Sequence, residues 1–152
     1  MDPTSERQLH LTIGSRFENI ELVQMTVDEI LRDRETDEEV RHWIGLALRE
    51  AVANAIKHGN RQDAGKQVDI EVDLAEETVE IRVADQGTGF DPGAVPDPLA
   101  PENRFRADGR GIFYMRQLMD DVLYSFRPDG GTVVTMRRQL AAGNGNGVAD
   151  QG

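Results

Sequence analysis

Glu50 and Asn54 stand one helical turn apart in EAVANAIKHGN, residues 50–60, a run otherwise built largely of Ala, Val and Ile. A carboxylate can take a proton from a hydroxyl or a water. A carboxamide one turn away offers a neutral oxygen to a hard cation such as Mg²⁺, which prefers oxygen ligands and keeps several waters. On one helix face the pair could bring a nucleophile and a cation together; the plain alternative is a solvated Glu–Asn pair. Steps of three and four residues put Trp43, Ala47, Glu50, Asn54 and then Lys57 or His58 on one stripe. His58, at the helix end, reads more simply as a residue that stabilises the helix dipole than as a ligand.

Two further segments could touch a ligand. In ADQGTGFDP, residues 84–92, the alternation of Val79, Ile81 and Val83 turns Asp85 toward the core as well. A buried acid needs a donor, and the exocyclic amine of a purine is one. Gly87 and Gly89 would let a flat ligand approach the backbone. The competing reading is a glycine turn that ends a strand, with the Asp as its cap. In ADGRGIFYMRQLMD, residues 107–120, Gly109 and Gly111 open a helix whose free N–H groups suit phosphate oxygens. Glycine also opens helices for steric reasons, and no parallel βαβ unit surrounds it, so it is not the dinucleotide fingerprint.

The elements that would carry these residues follow from periodicity. Leu9, Leu11 and Ile13 alternate with His10 and Thr12, which predicts a first strand. Phe17, Ile20, Val27, Ile30 and Leu31 recur at helical spacing and predict a helix over 16–32. Thr36 with Glu39 is a capping-box pattern, so a long helix should run from about Asp37 to His58 and stop at Gly59 as its C′ residue. Residues 68–74 and 79–83 alternate on either side of an AEE turn and predict two antiparallel strands with one wet face. Residues 86–110 are rich in Gly, Pro and Asp without periodicity, and a loop of that length inside a domain is usually functional. Ile112, Met115, Leu118 and Met119 predict a third helix, and residues 122–126 and 132–136 flank PDGG as a hairpin. The sum is a two-layer α/β fold, a largely antiparallel sheet with helices on one face. After Leu140 the tail AAGNGNGVADQG has no core residues and is expected to be disordered.

Bulk composition narrows the classes. The chain has 152 residues, enough for one domain with one core, and a formal charge of -11, which argues against direct nucleic-acid binding. Without cysteine there are no disulfides or thiolate metal sites. MDPTSERQ is polar, and no apolar run approaches the length that spans a bilayer, so a soluble cytoplasmic domain is expected.

Taken together, EAVANAIKHGN resembles the N-box, DQGTG the first glycine box and GRGIF the second glycine box of the GHKL ATPases, in that order. Residues 8–140 as one domain are most similar to the bacterial anti-sigma-factor serine/threonine kinases, with 141–152 as the tail. The resemblance implies the Bergerat fold, an α+β two-layer sandwich on a mixed, mostly antiparallel sheet. It also implies ATP and Mg²⁺ as cofactors. Position by position, Glu50 matches the general base and Asn54 the Mg²⁺-binding Asn. Asp85 matches the acid that bonds the adenine amino group, with Gly87 and Gly89 beneath the base. Gly109 and Gly111 match the phosphate-side glycines, and Thr132 the last-strand Thr that supports the adenine pocket. The parity of Thr132 with Val134 and Met136 also faces it inward. The segment from Pro92 to Asp108 matches the lid. Arg104 or Arg106 is a candidate for the γ-phosphate or a partner, and equally reads as a solvated lid arginine. GRG is shorter than the glycine run of many members, which shifts phosphate contacts toward the lid.

The implied activity is phosphoryl transfer from Mg-ATP to a serine or threonine of a STAS-domain anti-sigma-factor antagonist. The implied partners are that antagonist, a sigma factor held by the same molecule, and a second copy in a homodimer. Three other readings stay open on the residues alone. They are a switch kinase acting on a STAS scaffold protein, a nucleotide-gated binding module without catalysis and, last, a detached histidine-kinase catalytic domain.

Overall fold

The computed structural model describes residues 7–87, 115–128 and 130–140. Strands β1 (Arg7–Gly14), β2 (Gln67–Leu74), β3 (Thr78–Ala84), β4 (Asp121–Phe126) and β5 (Thr132–Gln139) form one five-stranded sheet in the order β1-β2-β3-β5-β4. Every pairing among them is antiparallel, so the expected mixture of directions is absent among the described strands. Tight turns account for two of the four pairings, β2 with β3 and β4 with β5, because a short turn joins antiparallel neighbours. Between β2 and β3 the Ala75 N–H donates to the Thr78 carbonyl at 2.9 Å. Between β4 and β5, Gly130 and Gly131 take φ of 95° and 91°, a region that L side chains disfavour, and the Arg127 N–H closes on the Gly131 carbonyl at 3.0 Å.

Strict alternation decides the faces. Val68, Ile70, Val72 and Leu74 of β2 and Val79, Ile81 and Val83 of β3 are buried against the helices. On the opposite face Arg82 binds Glu71, Asp73 and Glu80, an ion-pair cluster that stays partly wet. Helix α1 (Glu18–Asp33) buries Ile20, Val23, Val27 and Leu31. Helix α2 (Glu38–Asn54) buries Val40, Ile44, Ala47, Leu48, Ala51 and Val52. Each buried Val, Leu or Ile contributes about 1.5–3 kcal/mol relative to exposure, so this layer contact is what holds the helices in place.

Two expectations about α2 are corrected. Its N-cap is Asp37, with no side-chain capping bond, and the Thr36 hydroxyl is buried without a partner among the described residues, so the capping box does not form. Arg41 reaches back to the Thr36 carbonyl at 3.2 Å instead. At the other end the helix does not run regularly to His58. It widens into a π turn over Ala55–Gly59, closed by the Asn60 N–H on the Ala55 carbonyl at 2.8 Å. Left-handed backbone follows later, at Arg61 (φ 53°) and Gln62 (φ 59°), so Gly59 is not the left-handed C′ residue that its position suggested. Of the expected third helix, residues 115–118 are helical and 112–114 lie outside the described residues. The tail after Leu140 also lies outside them.

Candidate functional site

Asp85 leaves β3 on the core side, as its parity predicts, and is 5% exposed. Its own N–H donates to the Thr132 carbonyl at 3.0 Å. Its Oδ1 accepts from the Gly87 N–H at 2.9 Å and from the Thr132 N–H at 3.0 Å. Among the described residues Oδ2 accepts nothing. Burial pushes the Asp85 carboxyl above its ordinary value, and the N–H groups of Gly87 and Thr132 oppose that rise. The result is a fixed acid with one oxygen held by two N–H groups and the other facing the space left open at Gly59. An exocyclic amine would satisfy the second oxygen, whereas a keto group would set acceptor against acceptor.

The π turn makes room for this acid. A Cβ on Gly59 would lie 2.0 Å from Asp85 Oδ2 and 2.3 Å from its Cγ. Glycine at 59 is therefore demanded by the passage of a side chain rather than by backbone conformation. A Cβ on Gly87 would meet the Gly59 carbonyl at 3.0 Å and Asp85 Oδ1 at 3.1 Å, so the two glycines face each other across the acid.

Glu50 and Asn54, both half-buried, line a cleft of about 720 Å³ together with Lys57 and His58. Its other wall comes from the start of α1, with Phe17 and Gln24. The expected stripe is thus divided. Glu50, Asn54, Lys57 and His58 share the cleft, while Ala47 is fully buried and Trp43 packs beneath the Arg138 guanidinium, 4.9 Å from the ring centre. His58 is part of the cleft wall as well as a residue of the last turn. Burial makes the phenol proton of Tyr124 on β4 harder to remove, an effect that the neighbouring Asn54 side chain opposes. No group of three or more His, Cys, Asp or Glu among the described residues could hold a metal. A Mg²⁺ ion here would rest on the Asn54 carboxamide and on a ligand's own oxygens, a donor set that suits a hard, largely hydrated cation.

Thr132 opens β5, half-buried; its carbonyl accepts from the Asp85 N–H and its N–H donates to the Asp85 carboxylate. Gly89, Arg104, Arg106, Gly109, Gly111 and the lid from Pro92 to Asp108 lie outside the described residues. Sequence reasoning passed over Asn60, which is 1% exposed, and Tyr124. Asn60 had a signal, since it closes the quoted EAVANAIKHGN run; Tyr124 had none, because a strand tyrosine is ordinary.

The chain is similar to kinases and anti-sigma factors along most of its length. It is 25% identical over 143 residues to the serine-protein kinase RsbW of Listeria innocua, covering 90% of each chain. It is 28% identical over 136 residues to the anti-sigma F factor of Geobacillus kaustophilus, covering 88% of this chain and 93% of that one. The RsbU and RsbW domains of a Mycobacterium tuberculosis protein share the fold at a TM-score of 0.64 and 20% identity, over 88% of this chain and 32% of that one. The catalytic domain of the histidine kinase ThkA does so at 0.54 and 16%, over 87% of this chain and 97% of that one. These likenesses agree with the expected Bergerat architecture. The histidine kinase-like ATPase domain matches residues 13–138, a span that holds Glu50, Asn54, Asp85 and Thr132, and the chain belongs to that family.

Proposed function

We propose that this protein is an ATP-dependent serine/threonine protein kinase and anti-sigma factor of the cytoplasm. It phosphorylates a STAS-domain antagonist and holds a sigma factor, acting as a homodimer. The observation that carries the reading is the placement of Glu50 and Asn54 in one open cleft along the last turns of the helix whose π turn meets Asp85. Relatives named as a serine-protein kinase and as an anti-sigma factor, matched nearly end to end, supply the substrate class.

In this reading Asp85 Oδ2 accepts the adenine amine, Gly87 and Gly89 lie beneath the base, and Thr132 supports the pocket. Gly109, Gly111 and Arg104 face the phosphates. Asn54 would hold Mg²⁺, which when bound neutralises phosphate charge. The partner's hydroxyl oxygen attacks the γ-phosphorus, the bond from that phosphorus to the β–γ bridging oxygen breaks, and ADP leaves. Glu50 receives the hydroxyl proton. Positioning and charge neutralisation supply most of the acceleration.

The test is affinity capture from native lysate with Mg-ATP and with Mg-ADP, reading bound proteins and their phosphoserine by mass spectrometry. A sigma factor retained with ATP and a phosphorylated STAS protein would support the reading. A phosphorylated STAS scaffold with no sigma factor would make it a switch kinase. Stable partners without phosphate transfer would make it a nucleotide-gated binding module.

A further inference from the structure

We propose that Asn60 is a positioning residue for base recognition: it locks the peptide that follows Asp85, so that Asp85 Oδ2 points at the purine amine. This rests on the reading of Asp85 as the base-recognising acid and adds the residue that aims it. The Asn60 Nδ2 donates to Ser15 Oγ at 2.8 Å and to the Gln67 carbonyl at 2.9 Å. Its Oδ1 accepts from the Gln86 N–H at 2.7 Å. Ser15 Oγ donates onward to the Lys66 carbonyl at 2.8 Å, and Gln86 Oε1 accepts from the Gln67 N–H at 2.7 Å. One buried carboxamide therefore ties the end of β1, the entry to β2 and the exit from β3 to the residue that follows the π turn. Its orientation is forced, because a flipped amide would set its oxygen against the Gln67 carbonyl.

The consequence falls on Asp85. The peptide before it is held by its own N–H on the Thr132 carbonyl at 3.0 Å. The peptide after it is held by the Gln86 N–H on Asn60. With both planes fixed, the direction of its Cα–Cβ bond is fixed. The remaining freedom, rotation of the carboxyl, is removed by the two N–H groups on Oδ1. Gly59 supplies the room and its neighbour Asn60 the hold, so two consecutive residues build the base end of the site.

A buried, satisfied carboxamide also stabilises the fold. Beyond that, loss of this carboxamide falls on base discrimination rather than on triphosphate binding. The test is Mg²⁺-free calorimetry with ATP and with inosine triphosphate, which carries a keto group in place of the amine. For Asn60→Ala the ATP Kd should rise about tenfold while the inosine triphosphate Kd stays within about twofold. Ser15→Ala, which removes one acceptor of the same carboxamide, should lower the ATP preference by about threefold in a chain with wild-type circular dichroism. A folded Asn60→Ala variant that keeps the wild-type preference, or weakens both nucleotides equally, overturns the proposal. If Asn60→Ala does not fold, an unchanged preference in Ser15→Ala overturns it. A wild-type chain with no preference for ATP overturns the Asp85 reading itself, before any Asn60 variant is considered.

Discussion

The two ends of the candidate site, both carried by the last turns of one helix, are built by opposite means. At the Gly59 end, backbone N–H groups, a buried carboxamide and a missing Cβ hold Asp85 in one orientation with little water nearby. At the Glu50 end the side chains are half-buried and line an open cleft of about 720 Å³, with Tyr124 behind Asn54. The difference matches two tasks. Recognition of a rigid base gains from a site organised before the ligand arrives. Transfer to another protein needs an entrance for its hydroxyl, so that end stays open and is completed by ligand and partner.

If the division holds, variants at the two ends should lose different things. Glu50→Gln should lower phosphoryl transfer by about 10²–10⁴-fold, the span of a general base, while Mg²⁺-free ATP affinity, measured by calorimetry, stays near wild type. Transfer at the wild-type rate would remove Glu50 from the chemistry. Gly59→Ala should do the reverse. Its Cβ, 2.0 Å from Asp85 Oδ2, must displace the acid, and ATP affinity should fall at least tenfold, roughly the loss of a hydrogen bond to a charged group. Equal phenotypes for these two variants would collapse the distinction between the ends.

Asp85→Asn is subtler. The amide keeps an oxygen for the Gly87 and Thr132 N–H groups and presents an NH₂ where the free oxygen was, so ATP affinity should fall about tenfold while the melting temperature holds or rises. Removing a buried charge causes the rise. Because burial raises the Asp85 carboxyl, the folded chain holds a proton that the unfolded chain has lost in the window between the ordinary and the raised value. Stability should therefore fall as pH rises through that window, and ATP affinity should climb through it as the carboxylate forms. Denaturation and binding titrations on wild type and Asp85→Asn check both slopes, which should vanish in the variant. The smallest effect is expected from Tyr124→Phe. It removes the hydroxyl that neighbours Asn54, and should raise the Mg²⁺ concentration needed for half-maximal transfer a few-fold without changing Mg²⁺-free ATP binding.

Much of the frame is legible from residue types. Alternation in β2 and β3 predicts the sheet, its wet face and the inward aim of Asp85, and helical spacing predicts the burial of Ile20, Val27 and Leu31 in α1, though not the exposure of Phe17 just before it. The pairing of Glu50 with Asn54 is legible because one helical turn is a local distance. Where the reading fails, a distant contact has overridden a local signal. The capping box is the exception: Thr36 and Glu39 have its letters, yet the helix starts one residue later, with Asp37 as its N-cap. Trp43 and Ala47 fall on the Glu50 stripe by spacing, yet packing against Arg138 and the core claims them. Gly59 has the look of a helix terminator, yet its reason is an acid that lies 26 positions further along the chain.

Sequence alone determined the element types, the faces they bury and the order of the three boxes, because those depend on spacing within a few residues. Only the tertiary structure decided that the helix widens after Asn54, that Asp85 has one oxygen bound and one facing the gap at Gly59, and that Asn60 and Tyr124 stand behind the site. Those features are set by atoms meeting across the sheet and its strand ends, and no local pattern in the chain encodes which atoms will meet.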